Sequence, residues 1–132
     1  MAQTAHVLLV HDREEPLEDL TRILENLHFE VLHTCSCSEA VQALRKTSPP
    51  SVVFTTAALP DGTWKDIVGA LKGAPTAAGV VVVSRFVDDR LYLTALESGA
   101  DDFVVPPFRE EDVAYVVGCA VRHGGRRMAA GA

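Results

Sequence analysis

Short apolar runs recur along this chain from His6 to Val10, Glu30 to Thr34, Ser51 to Thr55, Val80 to Val83 and Asp102 to Val105. Most are unbroken rather than alternating, as expected of strands covered on both faces. Between them the apolar period lengthens to that of a helix. Leu17, Leu20, Ile23, Leu24 and Leu27 make one stripe, and Trp64, Ile67, Val68 and Leu71 another. Val113, Val116, Val117, Ala120 and Val121 make a third, with shorter patterns over 40–44 and 91–96. Strict alternation of strand and helix with short connections predicts an α/β open sandwich: a five-stranded parallel sheet with helices on both faces.

The punctuation agrees. Pro16 suits the first turn of the first helix, and Ser36-x-x-Glu39 reads as a capping box for the second. Gly73, Gly99 and Gly124 stand where the third, fourth and fifth helices are expected to stop. The expected domain is 1–123. Residues 124–132, small or basic, read as a linker or tail, as in a domain taken from or opening a longer protein.

In such a sheet, chemistry belongs beyond the carboxyl ends of the strands. The residues placed there are His11 and Asp12, Thr56, Ser84 and Arg85, and Pro106 and Pro107. A net charge of −6 offers no footprint for phosphate backbones, so direct nucleic-acid binding is not expected. No apolar stretch reaches membrane-spanning length, and Met1 to Thr4 lacks a signal-peptide pattern, so a cytoplasmic location is the expectation. Cys35, Cys37 and Cys119 read as buried or half-buried thiols. The five histidines show no i, i+4 pairing, and no metal site is expected from them.

Several stretches, taken together, resemble the receiver domain of two-component response regulators, a flavodoxin-like (βα)5 fold. They are Val-Leu-Leu-Val-His-Asp at 7–12, Leu-Pro-Asp-Gly at 59–62, Val-Val-Val-Val-Ser at 80–84, Ala-Leu-Glu-Ser-Gly-Ala-Asp-Asp-Phe at 95–103 and Pro-Pro-Phe at 106–108. The resemblance covers about 5–123. It implies an acidic pair after the first strand, a phospho-accepting aspartate after the third, a hydroxyl after the fourth and a lysine before a proline after the fifth. On that pattern Asp12 matches the second acid, Ser84 the hydroxyl and Phe103 the aromatic that changes rotamer between states. Pro107 matches the proline, often preceded by a cis peptide bond.

The departures fall on the chemistry. His11 replaces the first acid, Thr56 stands at the phospho-acceptor position, Pro106 replaces the lysine, and Arg85 takes a position that is usually small. With Asp12 as the only matched carboxylate, Mg²⁺ binding is expected to be weak or absent, and no other cofactor is implied. A threonine hydroxyl is a weak nucleophile without an adjacent base. The expectation is a non-enzymatic regulatory module, a pseudo-receiver working through protein contacts without standard aspartyl phosphorylation.

Other readings stay open at this point. His11, Asp12 and Thr56 could form a nucleophilic set, against a polar remnant satisfied locally. Arg85 could bind a small anion or other ligand, or pair with Asp12 and plug the pocket. Asp61 could accept phosphate in place of Thr56, or serve as a turn residue or cap for the third helix. Phe103 fits a switch and a half-buried strand residue equally.

From Val113 to Val121 the chain carries no charge. Tyr115 and Cys119 lie four apart on a flank that should meet water, and Gly118 would let another backbone approach. With Tyr92 on the fourth helix, they mark an expected homodimer or partner surface built from the fourth helix, fifth strand and fifth helix. An output domain in the same full-length chain is the other expected partner.

Overall fold

The computed structural model describes residues 6–12, 17–45, 50–73, 78–85 and 88–130, the last eight as helical backbone. Pro16 lies outside the described residues. Five parallel strands form one sheet in the order β2-β1-β3-β6-β7: β1 (His6–Val10), β2 (Glu30–Thr34), β3 (Val52–Thr56), β6 (Gly79–Val83) and β7 (Asp102–Val104). Helices α1 (Glu18–Asn26), α2 (Cys37–Leu44), α3 (Trp64–Gly73), α4 (Asp89–Glu97) and α5 (Glu110–Ala130) alternate with them. A two-stranded antiparallel ribbon, β4 (Ala58–Leu59) with β5 (Gly62–Thr63), interrupts the connection from β3 to α3. The fold is the expected α/β sandwich, and the fifth strand of the sequence reading is β7.

The central strands β1, β3 and β6 each face two cores. Leu8, Val10, Val53, Val80 and Val82 pack with Ala40, Trp64, Ile67 and Ala95 on the face covered by α2, α3 and α4. Val7, Leu9, Phe54, Val81 and Val83 pack with Leu20, Leu24, Val113 and Val117 on the face covered by α1 and α5. This is why the central strands read as unbroken apolar runs. The edge strand β2 departs from that expectation: Glu30, Leu32 and His33 are exposed.

Local signals act largely as expected. The Ser36 hydroxyl accepts the Glu39 amide at 3.1 Å and donates to the Glu39 carboxylate at 3.3 Å, the capping box of α2. Gly99 follows α4 with φ of 107°, a conformation that side chains resist. Gly79 is needed for close packing: a Cβ there would lie 2.8 Å from the Cβ of Ala120 on α5.

The C-terminal expectation is corrected. α5 does not stop at Gly124 but continues to Ala130. A glycine inside a helix costs about 1 kcal/mol relative to alanine, too little to end a long helix by itself. Val121 also leaves the expected buried stripe and is exposed, whereas Val113, Val116, Val117 and Ala120 are buried.

Candidate functional site

The sheet reverses its direction of growth between β1 and β3, since β2 is added on one side and β6 and β7 on the other. Crevices form beyond the strand ends at such a switch point. Register orders the expected residues at the strand ends. Thr55 is level with Val10, Thr56 with Val83, and Val83 with Val104. His11, Thr56 and Val83 therefore stand level on neighbouring strands, with Asp12 and Ser84 one step further out and Arg85 and Pro106 two. Two amides extend the ladder past the strand ends: His11 donates to the Thr34 carbonyl at 3.1 Å, and Ser84 to the Val104 carbonyl at 3.0 Å.

Thr56 and His11 are both only 7% exposed. The Thr56 hydroxyl donates to the Ala58 carbonyl at 3.2 Å, bracing the turn into the ribbon. Thr55 turns its hydroxyl to the Thr56 carbonyl at 2.9 Å. None of Asp12, Ser84 and Arg85 is without a partner. Pro106 is exposed, and the Pro106–Pro107 peptide is cis, as the resemblance implied. Phe103 is half-buried against the core, and its ring meets Tyr92 edge-on with centroids 5.7 Å apart.

The histidine at 11 finds a partner that sequence spacing did not reveal. Its Nδ1 lies 3.0 Å from the Asp12 carbonyl and its Nε2 3.3 Å from Nδ1 of His33. A carbonyl only accepts, so Nδ1 of His11 carries the proton and Nε2 offers a lone pair. Burial, then the nearby His11, hold His33 below its ordinary pKa, with Glu25 opposing. A cavity of about 450 Å³ opens beside the pair, lined by Leu17, Glu18, Thr21, Arg22 and Glu25 along with both histidines. The readable signal was parity. His33 is level with Leu9, and His11 follows Leu9 by two residues, so both project from one face.

Asp61 does not cap α3, correcting that expectation. Its two carboxylate oxygens accept the amides of Cys37 and Ser38 at 2.7 and 3.1 Å, capping α2. These bonds hold its carboxyl below the usual range. The α3 start is served instead by Asp66, which accepts the Thr63 amide at 2.9 Å, and by the Thr63 hydroxyl, which accepts the Lys65 amide at 3.2 Å. Cys37 is buried under the same turn, and desolvation, with Asp61 next, pushes its thiol up to about 11.

On the other side of the molecule, Tyr92, Leu93 and Leu96 of α4 and Tyr115 and Val121 of α5 are all exposed, Tyr115 at 70%. Cys119 is half-buried and its sulfur accepts from Arg122 at 3.3 Å. A Cβ at Gly118 would meet the Arg122 guanidinium at 3.5 Å, and among the described residues no backbone uses the approach this glycine permits.

Residues 7–117 match the response regulator receiver domain. The chain is 33% identical over 116 residues to the transcriptional regulatory protein KdpE of Mycobacterium tuberculosis, covering 88% of this chain and 50% of that protein. It is 35% identical over 104 residues to the transcriptional regulatory protein PrrA of Mycobacterium leprae, covering 77% and 43%. The chain thus spans about half the length of these relatives. A CheY-like receiver domain from Methanospirillum hungatei superposes with a TM-score of 0.76 at 18% identity, over 95% of this chain and 99% of that one. Motif order, strand order and these matches agree: the chain belongs to the response regulator receiver family.

Proposed function

We propose that this receiver domain transmits its signal through protein contacts without standard aspartyl phosphorylation. The carrying observation is the row at the strand ends, where Thr56 stands at the acceptor position with its hydroxyl already spent on the Ala58 carbonyl. Attack on a phosphoryl donor needs an activated oxygen. The residue beside it, His11, is turned to His33 and the Asp12 carbonyl.

The residues also fit Mg²⁺ poorly. That ion takes oxygen ligands in near-octahedral array, and the matched positions at the strand ends supply one carboxylate, Asp12, with the hydroxyls of Thr56 and Ser84. Among the described residues no group of three or more histidine, cysteine or acidic ligands is assembled. Pro106 brings neither charge nor donor where a phosphoryl group would be held. Arg85 is assigned to filling this pocket rather than to sensing an anion. Asp61, the alternative acceptor, is tied by two amides to the start of α2.

Output is assigned to the face of α4, β7 and α5, where apolar side chains stand in water, in a homodimer or against a partner. Its relatives are named as transcriptional regulators, and an output domain in the same full-length chain is the matching arrangement here.

Incubation with acetyl phosphate and Mg²⁺, followed by intact-mass measurement, tests the reading. The mass is expected to stay unchanged. A stoichiometric gain of one phosphoryl group would overturn it, and mapping that group to Thr56 or Asp61 would identify the acceptor.

A further inference from the structure

The His11–His33 pair brings neither carboxylate nor nucleophile to phosphoryl chemistry, yet His11 is held through both ring nitrogens. We propose that His11 and His33 form a two-imidazole clip for a borderline divalent cation of the zinc class, completed by water or by a carboxylate from the adjoining cavity wall.

Three features point to it. The first is lone-pair direction. The Asp12 carbonyl fixes the proton of His11 on Nδ1, leaving Nε2 as a lone pair aimed at His33. Metal-binding histidines commonly donate their other ring N–H to a carbonyl in this way. The second is spacing. Nε2 of His11 and Nδ1 of His33 are 3.3 Å apart, with the rings 77° from coplanar. Two nitrogens at zinc-bond length on a tetrahedral ion are separated by about 3.3 Å, so an ion could bridge the pair once both rings turn to point their lone pairs at it. His33 would also shift its proton from Nδ1 to Nε2, with no net change of charge. The third is room and charge. The cavity beside the pair carries Glu18 and Glu25. Its one cation, Arg22, is neutralised by Asp19 at 2.9 Å.

No third ligand is preformed among the described residues. The clip is therefore open, with modest affinity and exchangeable positions. Nitrogen donors favour zinc, copper or nickel over magnesium. Replacing an acid by His11 thus changes the preference at this corner from hard to borderline ions. A bound ion would tie the ends of β1 and β2 together beside the row that holds Thr56. This inference stands whether or not the domain is phosphorylated.

The test is titration of the whole chain with Zn²⁺, and with Co²⁺ for its visible spectrum, by native mass spectrometry and thermal melting. One ion per chain, a melting temperature that rises with Zn²⁺ and not with Mg²⁺, and a tetrahedral Co²⁺ spectrum are expected. His33 is exposed, so His33→Gln should fold as the parent does, checked by circular dichroism, and should weaken Zn²⁺ binding by about tenfold or more. Glu25→Gln should weaken it less. Absence of stoichiometric binding, or binding that survives His33→Gln undiminished, would overturn the proposal. The second result would assign the ion to other side chains, such as Cys35 and Cys37.

Discussion

At the scale of single residues, a few side chains hold segments that are distant in the chain. Asp61 joins the turn after β4 to the first turn of α2 through two amide hydrogen bonds. Charge near a helix N-terminus adds to the effect. Because folding lowers its pKa, the stabilisation is present above the ordinary carboxyl range and is lost as pH falls through the folded value. Asp61→Asn should therefore melt below the parent at pH 7, and the gap should close as pH falls below the ordinary carboxyl range; melting curves from neutral to acid pH check it. Gly79 is a second such point. Gly79→Ala would drive a methyl group into Ala120 and should cost about 1–3 kcal/mol in a denaturant titration. Neither long-range role was legible from sequence. Asp61 is 24 residues from Cys37 and His33 is 22 from His11. Local patterns report neighbours within one element, and these partners meet only after parallel strands set the register.

At the scale of elements, the five strands of the main sheet and all five helices were legible, because period and caps pointed the same way, while the β4–β5 ribbon was not. Strand ends shifted by a residue, as with β3, which begins at Val52. The end of α5 was not legible, since glycine punctuation is a weak force against a helix already nucleated and packed. The uncharged run from Val113 to Val121 leaves an outer flank in water, where Tyr115 and Val121 are exposed, as are Tyr92, Leu93 and Leu96 on α4. Such areas commonly meet another protein. Tyr115→Glu should shift the chain to a smaller sedimenting species at high concentration. If parent and variant sediment alike, self-association through α5 is lost as an explanation.

At the scale of the whole molecule, the family and architecture follow from the order of β-α units, while function rests on what occupies the strand ends. The resemblance placed His11, Thr56, Ser84 and Pro106 there, and register sets His11 level with Thr56, with Ser84 one step and Pro106 two steps beyond. Which way each side chain is engaged was not legible, because rotamers answer to tertiary contacts. The net charge of −6 bears on partners. In a gel-shift assay this domain alone should not retard DNA at physiological salt, since a chain of net charge −6 has little counterion release to drive binding. Any DNA contact would then come from a separate output domain.

α5 extends ten residues past Ala120, its last deeply buried side chain among those described. At a rise of 1.5 Å per residue, that is an arm of about 15 Å. Gly79 is its fulcrum, where strand and helix backbones nearly touch. A tilt of about 10° at that pivot swings the tip by roughly 2.6 Å over this length. Small repacking of the sheet would thus arrive amplified at the far end of the shaft.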